Sequence, residues 1–299
     1  MEQATSPRNK RGTQKTAALQ RVLRKIMSKS EITKRTIQDK VISWLNSVRY
    51  SVTEPLLLGV ARARYESLYF DPTESPLVTI AIPTYNRGEL LVKRTLPSIF
   101  AQTYRNIEVL VVGDCCPDDT PELLKKVDDP RLRFINLPVR TKYPEDPACR
   151  WFISGLGPLN KGMDLARGKW IAYFDDDDIM TPDHVESLLR FAQHGDYEFV
   201  AGLYEEERDG HKRVVGHKTP EYPEFGGHGT SLYRSYLRCF KYNRNSWRKA
   251  YNRPQDIDRQ LRLRQAGVRM ELLETVVSYV VPRPGLSTVG LAARMMQPE

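Results

Sequence analysis

Short apolar runs alternate with stretches of helical periodicity from about residue 77 onward. Each run is rich in β-branched or aromatic residues, which is typical of buried strands. The runs occupy residues 78–82, 107–112, 133–137 and 169–174. Between them, apolar residues recur at helical spacing over 88–102, over 120–127 and in a helix that includes 162–166. This β-α-β-α-β order predicts an α/β fold: a mostly parallel sheet with helices on both faces.

The same pattern divides the chain into regions. We expect a basic N-terminal arm that is partly disordered and then helical, an α/β domain with two halves, and a tail. The expected bounds are 1–70 for the arm, 77–180 and 181–285 for the two halves, and 286–299 for the tail. Within the domain, residues 138–159 are loop-like and unusually long, and long loops in compact domains are usually functional.

The N-terminal arm holds the excess positive charge. Residues 1–50 carry twelve Lys or Arg and three Asp or Glu, which accounts for the whole formal net charge of +9. Two apolar stripes have helical spacing there: Leu19, Val22, Leu23, Ile26 and Met27, then Ile37, Val41, Trp44, Leu45 and Val48. Such stripes could lie on an anionic membrane surface, or pack on the main domain or on a second subunit of a homo-oligomer. Glu31 and Asp39 interrupt the polar face and favour packing, and no nucleic-acid-binding motif accompanies the arm.

The cysteines indicate a reducing compartment. Cys115, Cys116, Cys149 and Cys239 form neither a CxxC pair nor an array at zinc spacing, so we expect reduced thiols. The N-terminus has no apolar core typical of a signal peptide, and the apolar run at 276–281 is too short to span a bilayer. The expected location is cytoplasmic, with peripheral contact at the inner face of the membrane as the alternative.

Four consecutive aspartates, Asp175 to Asp178, follow the last of these predicted strands. Adjacent like charges repel one another, and an oxygen-seeking divalent cation such as Mg²⁺ or Mn²⁺ would offset that repulsion. The alternative is an acidic helix cap, because residues 181–183 open a helix. Capping would explain Asp178 but not the three aspartates before it. The run therefore predicts a metal or diphosphate site.

Polar residues also follow the first two strands. Thr84, Tyr85 and Asn86 come after the first strand, and Asp114 comes after the second. Because the carboxyl ends of parallel strands share one edge of a sheet, these residues should meet the aspartates. An aromatic ring beside an aspartate suits a nucleobase, and an acidic run suits a metal that bridges two phosphates. The pattern predicts a nucleoside-diphosphate site, and the sequence lacks the glycine-rich loops of P-loop ATPases and NAD dehydrogenases.

Four segments in this order resemble family 2 glycosyltransferases of the GT-A fold. They are VTIAIPTYNR (78–87), GDCCPDDT (113–120), FDDDDIMTPDHV (174–185) and QDID (255–258). The resemblance implies an inverting, metal-assisted transfer of a sugar from a nucleotide-sugar donor, UDP-linked by family frequency. It implies Mn²⁺ or Mg²⁺ as cofactor and a glycan, a lipid-linked sugar or a small molecule as acceptor. Processive members carry membrane spans and a Q-x-x-R-W motif, which this sequence lacks, so a single transfer is expected.

The resemblance also implies roles for individual residues. The nucleotide-sugar would be bound by Pro83, Thr84, Tyr85, Asn86, Asp114, Asp175 and Asp176, to which the long segment 138–159, and not the resemblance, adds Arg150. The metal would be held by Asp175 and Asp177, and Asp256 would be the catalytic base, with Asp258 as the second candidate. Asp256 could instead be a carboxylate favoured at a helix start. The family position before Asp114 is usually acidic, and here it is Gly113.

Other residues are weaker candidates. Arg150 could reach the base or the diphosphate and Trp151 could stack on a ring, although both could also be surface residues. The glycine-rich segment 226–230 is expected near the acceptor, and Arg283 could contact the diphosphate from a C-terminal flap. Four histidines are expected on the solvated surface: His184, His194, His211 and His217.

Two other functions compete with sugar transfer. A sugar-nucleotide nucleotidyltransferase shares the sheet and the acidic metal site, but it needs a glycine-rich, Arg- or Lys-bearing loop after the first strand. The segment 83–87 is not such a loop. A non-catalytic domain that binds nucleotide or membrane would not need Asp177 and Asp256, which are both present.

Overall fold

The computed structural model describes residues 37–218, 223–225, 227–248 and 254–296. The disordered part predicted for the N-terminal arm and the first apolar stripe at 19–27 lie outside these residues. The strands are β1 Val78–Thr84, β2 Ile107–Gly113, β3 Leu132–Asn136, β4 Trp170–Tyr173, β5 Ile179–Met180, β6 Phe199–Arg208, β7 His211–Val215, β8 His217–Lys218, β9 Pro223–Glu224, β10 Ser231–Arg234 and β11 Met270–Val280.

Nine of the described strands form one sheet in the order β3-β2-β1-β4-β10-β6-β11-β5, with β7 paired to β6. Strands β1 to β4 pair in parallel, as the β-α-β order predicts. The second half is mixed, because β10 runs antiparallel to both of its neighbours while β6 and β11 are parallel. The remaining strands, β8 and β9, form a separate two-stranded sheet.

The helices alternate with these strands. They are α1 Ile37–Tyr65, α2 Gly88–Leu90, α3 Leu96–Phe100, α4 Thr120–Lys125, α5 Pro147–Phe152, α6 Leu156–Leu165, α7 His184–His194, α8 Gln255–Gln265 and α9 Gly290–Met296. A π-helical turn, Leu91–Thr95, joins α2 to α3, so the helix predicted over 88–102 is present with an irregular middle. The core lies against the sheet, where Trp170, Tyr173, Phe199 and Tyr233 are at most 1% exposed.

The segment 138–159 is not the structureless loop that the sequence predicts. It contains α5 and the start of α6. Asp146 caps α5 by accepting a 2.8 Å hydrogen bond from the Cys149 amide, and Pro147 supplies the fixed φ of a first helical residue. Gly155 has φ 72° and allows the sharp turn between the two helices.

The N-terminal helix α1 packs on the domain through several ion pairs, and through Leu58 and Ala61, which are buried in the core. Glu54 pairs with Arg262 of α8, and Arg62 Nη2 lies 2.6 Å from Glu198 Oε2. The second apolar stripe points outward instead: exposed residues include Ile37, Val41, Trp44, Leu45 and Val48. The prediction that this stripe packs on the main domain is therefore wrong, because ion pairs hold the opposite face of the helix against it.

Candidate active site

The parallel register brings three strand ends to one edge of the sheet. Thr84 of β1 is level with Gly113 of β2, and Ala81 of β1 is level with Tyr173 of β4. Asp114 and the acidic run after β4 therefore lie beside Thr84. The contact is direct, since Thr84 Oγ1 donates a 2.7 Å hydrogen bond to Asp176 Oδ2.

The four aspartates alternate between two environments. Asp176 and Asp178 are buried, at 4% and 6% exposure, whereas Asp175 and Asp177 are half-buried. Arg87 Nη1 donates to Asp176 Oδ1 at 2.8 Å and to Asp177 Oδ2 at 3.3 Å. Asp176 is thus held by the protein itself.

Asp177 is held from two sides. Besides its contact with Arg87, its Oδ2 accepts a 2.9 Å hydrogen bond from Arg283 Nε. Arg283 follows β11, so residues far apart in the sequence meet at this carboxylate. Helix capping does not account for the acidic run, because α7 begins at His184 and its N-cap residue is Asp183.

Asp175 ionises less readily than an ordinary aspartate. Burial, the neighbouring carboxylates of Asp177 and Asp176, and Asp256 raise its pKa to about 7. Burial likewise raises the pKa of Asp178. Among the residues that the structure describes, no three His, Cys, Asp or Glu side chains converge as a complete ligand set. The chemistry of the acids suits a divalent cation that also takes oxygens from a diphosphate and from water.

The predicted base-binding residue Asp114 is fully engaged with its own chain. Its Oδ1 accepts hydrogen bonds from the Thr141 amide at 3.0 Å and the Thr141 hydroxyl at 2.6 Å. Its Oδ2 accepts one from the Tyr143 hydroxyl at 2.6 Å. The Arg140 guanidinium lies 3.2 Å from the centre of the Tyr85 ring. The segment after β3 therefore covers both residues expected to bind the base.

A cavity of about 100 Å³ remains beneath this segment. Of the predicted donor-binding residues, it is lined by Pro83, Thr84, Tyr85, Asp114, Arg150, Asp175 and Asp176. Arg150 also donates to the carbonyls of Pro144 at 3.2 Å and Glu145 at 3.3 Å. Asn86 is exposed and does not line this cavity; its φ of 53° closes the turn after β1.

A larger cavity of about 930 Å³ adjoins the first at Arg87 and Asp175. Asp175, Asp177 and Asp256 all line it. Asp256 lies in the first turn of α8, and its Oδ1 is buried with no hydrogen-bond partner among the described residues. The second candidate base, Asp258, is 2% exposed and pairs with Arg262 Nε at 3.1 Å, so only Asp256 of the two presents its carboxylate to the cavity.

Gly227 and Gly229 lie near these carboxylates and leave the cavity open beside them. Gly226 lies outside the described residues. A Cβ at Gly227 would lie 3.9 Å from Asp256 Oδ2, and one at Gly229 would lie 4.0 Å from Asp175 Oδ2. Larger side chains would therefore narrow the cavity beside the acids. Trp151 lines the same cavity, as its candidate role requires.

Several residues of the site were not predicted. Arg140, Tyr143 and helix α9, which was expected to be a tail, are the main ones. Since Asn136 at the end of β3 is level with Gly113, an arginine and a tyrosine shortly after it could have been assigned to this edge. The sequence holds no comparable signal for α9.

The prediction that His184 lies on the solvated surface is wrong, because this residue is fully buried. Its Nδ1 lies 2.8 Å from the Val277 carbonyl and its ring stands edge-on to Phe174. Burial lowers its pKa to about 4. His194, His211 and His217 are exposed, as predicted.

The fold defines the structural class of the protein. The mannosyltransferase PcManGT from Pyrobaculum calidifontis, solved in complex with GDP-Man and Mn²⁺, matches with a TM-score of 0.53. The sequences are 18% identical, and the match covers 83% of this chain and 70% of that one. At this identity the likeness establishes the fold, which is that of GT-A glycosyltransferases.

Sequence comparison identifies the family. The family model described as "Glycosyl transferase family 2" matches residues 79–144 and 156–260, and the chain belongs to this family. A succinoglycan biosynthesis protein, ExoO of Rhizobium meliloti, is 37% identical over 117 residues, which are 39% of this chain and 30% of that protein.

A second relative has a named substrate. It is the UDP-Glc:alpha-D-GlcNAc-diphosphoundecaprenol beta-1,3-glucosyltransferase WfaP of Escherichia coli. It is 29% identical over 133 residues, which are 44% of this chain and 48% of WfaP. The matched part of the chain thus spans less than half of each of these relatives. Among the described residues, no helix is long and apolar enough to cross a membrane.

Proposed function

We propose that this protein is an inverting glycosyltransferase. It moves a sugar from a nucleotide-sugar, with UDP as the expected nucleotide, to a hydroxyl of a glycan or lipid-linked acceptor. The observation that carries the proposal is the cavity of about 930 Å³, which the Asp256 carboxylate shares with the strand-end acids Asp175 and Asp177. Donor-binding acids and a separate carboxylate on one cavity are the two components that inverting transfer needs.

A divalent metal, Mn²⁺ or Mg²⁺, fits the strand-end acids. Asp175 and Asp177 would hold it. Burial, and after it the neighbouring carboxylates, raise the pKa of Asp175, and a cation would offset the repulsion among these carboxylates. Magnesium in such sites is commonly bound by one or two carboxylates together with substrate phosphates, so two acids are sufficient. When bound, the metal would supply positive charge that stabilises the departing diphosphate.

The side chains of the protein account for the rest of the reaction. Asp256 takes the proton of the acceptor hydroxyl, whose oxygen bonds to C1 of the sugar as the bond from C1 to the diphosphate oxygen breaks. The nucleoside diphosphate then leaves. Because the attack comes from the face opposite the leaving group, an α-linked donor gives a β-linked product. Arg87 and Arg283 line the cavity and would stabilise the charge on the diphosphate.

The acceptor class is proposed from a relative, and the site of action is proposed from the cysteines. WfaP acts on a diphosphoundecaprenol-linked sugar by its name, which supports polysaccharide or glycoconjugate biosynthesis here as well. The four cysteines are free thiols in the structure, which supports a cytoplasmic site of action. We propose a single transfer and not processive synthesis.

A donor panel tests the proposal without knowledge of the acceptor. Nucleoside diphosphate release from UDP-, GDP- and dTDP-sugars is measured with Mn²⁺, with Mg²⁺ and with EDTA. We expect metal-dependent release from one donor, because slow hydrolysis of the donor replaces transfer when no acceptor is present. Asp177→Ala should lower this rate by about 100-fold or more, since the metal loses a ligand.

The matched control is Asp128→Ala, which removes an exposed carboxylate away from the cavity and should leave the rate unchanged. Release that persists in EDTA, or in Asp177→Ala, would contradict the metal assignment. Absence of both release and nucleotide binding would favour the non-catalytic alternative, and pyrophosphate formation from sugar phosphate and nucleoside triphosphate would favour the nucleotidyltransferase.

A further inference from the structure

The inward side of α1 combines ion pairs with a small apolar contact, since Leu58 and Ala61 are buried in the hydrophobic core. Among the ion pairs, Asp39 pairs with Arg248, and Glu54 pairs with the buried Arg262. Arg62 makes two hydrogen bonds to the Glu198 carboxylate, at 2.8 and 2.6 Å. Polar contacts thus fix the helix on the domain along most of its length.

The outward side of α1 is apolar. Eight large apolar residues, mostly three or four positions apart, form one stripe, here called the outer stripe: Ile37, Val41, Trp44, Leu45, Val48, Val52, Leu56 and Val60. Their exposure ranges from 43% for Val48 to 82% for Ile37. At 1.5 Å per residue the outer stripe is about 35 Å long. An exposed apolar stripe of this length marks an interaction site.

The charges around the outer stripe are all of one sign. The exposed charged side chains of α1 are Lys40, Arg49 and Arg64, whereas both acids of the helix, Asp39 and Glu54, are turned inward and paired. The chain that leads into the helix adds to this charge, because residues 1–36 contain ten Lys or Arg and two Glu. The partner of the outer stripe should therefore be both apolar and anionic.

We propose that α1 lies flat on an anionic lipid bilayer, with the outer stripe inserted at the boundary between headgroups and acyl chains. Exposed apolar residues flanked by Lys and Arg are the pattern of helices that lie in this interface. A second copy of the chain fits less well. Symmetric pairing through the outer stripe would bring Lys40, Arg49 and Arg64 of two copies together, with no exposed acid on the helix to balance them.

The placement of α1 also links the bilayer to the large cavity; this step rests on the proposed function. Glu54 pairs with Arg262 of α8, and the first turn of the same helix carries Asp256. A bilayer under α1 would then hold the acceptor side of the cavity at a fixed place relative to the lipid surface. Such an arrangement suits an acceptor whose sugar is attached to a lipid.

Vesicle flotation of the full-length protein tests the proposal and is independent of activity. The vesicles are phosphatidylcholine alone or phosphatidylcholine mixed with phosphatidylglycerol. We expect the protein to float with the mixed vesicles and only weakly with phosphatidylcholine. The triple variant Val48→Glu, Val52→Glu, Leu56→Glu should bind at least tenfold more weakly than its control, because three apolar side chains no longer insert. Lys40→Gln and Arg49→Gln should each weaken binding about fivefold.

The matched control is Ser47→Glu, Ser51→Glu, Thr53→Glu, which adds the same charge at exposed polar positions of the same helix. All six positions are exposed, so both triple variants should fold, which circular dichroism checks. Equal binding by the two triple variants, or no binding of the wild type to the mixed vesicles, would overturn the proposal. So would a wild-type dimer in sedimentation without lipid that only the outer-stripe variant dissociates, because the occupant would then be a second copy.

Discussion

The consecutive aspartates at the end of β4 alternate between buried and half-buried positions, and they have different partners. Asp176 accepts a hydrogen bond from Thr84 and pairs with Arg87, while Asp177 lies between Arg87 and Arg283. Asp175 is left with raised pKa and faces the cavities. The sequence predicted a metal or diphosphate site from the run as a whole. It could not assign the individual roles, since these depend on two arginines from other parts of the chain.

His184 gives a prediction at the residue scale. An unfolded histidine titrates near pH 6.5, whereas burial lowers the pKa of His184 to about 4 in the folded protein. The unfolded state therefore binds a proton first as the pH falls, so this residue stabilises the fold above pH 6.5 and that contribution is lost toward pH 4. Because one pKa unit is worth about 1.4 kcal/mol, the loss should reach about 3 kcal/mol.

His184→Phe keeps a ring at this position and removes the titration. We expect the free energy of unfolding of the wild type, relative to the variant, to fall by about 3 kcal/mol between pH 7 and pH 4. Urea denaturation at several pH values measures this difference. If the free energy of unfolding changed equally with pH in the two proteins, the pKa of His184 in the folded protein would not be lowered, and the prediction would be wrong.

At the scale of elements, periodicity predicted what is set locally. The first four strands and the helices between them follow from short apolar runs and helical spacing, and the structure contains them within a few residues. The helix α5 was missed because its signal is a cap, Asp146 followed by Pro147, inside an otherwise polar segment. The apolar stripe of α1 was identified, but spacing could not decide between packing on the domain and an outward position, because it does not show what an apolar face contacts.

The segment after β3 should move when the nucleotide binds. Arg140 lies on the ring of Tyr85, a residue that the sequence analysis predicts to bind the nucleobase, so we expect the Arg140 side chain to leave when the nucleotide enters. A cation–π contact at an accessible site is worth about 0.5–1 kcal/mol. Arg140→Ala should therefore bind the nucleoside diphosphate about two- to fivefold more tightly, as measured by calorimetry.

The control for this prediction is Lys142→Ala, which removes the same charge from an exposed neighbour in the same segment. It should leave the affinity unchanged or lower it slightly through the lost positive charge. Weaker binding by Arg140→Ala than by Lys142→Ala would mean that Arg140 contacts the bound nucleotide instead of being displaced by it.

At the scale of the whole molecule, the large cavity is assembled from distant parts of the chain. The acids after β4, the glycines before β10, Asp256 at the start of α8 and the helix α9 all line it. The run of aspartates indicated the first, the position of the glycines in the chain indicated the second, and the resemblance to the family indicated Asp256. These parts line one cavity together with α9 because of long-range packing. Spacing along the sequence does not determine such packing.

The central claim is that a base from the second half of the domain acts on a donor held by the first half. The most direct measurement is donor binding and donor turnover side by side, for the wild type, Asp256→Asn and the surface control Asp128→Asn. Asp256→Asn keeps the shape of the side chain, so we expect donor affinity within about twofold of the wild type. Its turnover should fall by about 10²–10⁴-fold, the usual contribution of a general base. Turnover retained in Asp256→Asn at unchanged donor affinity would contradict the account.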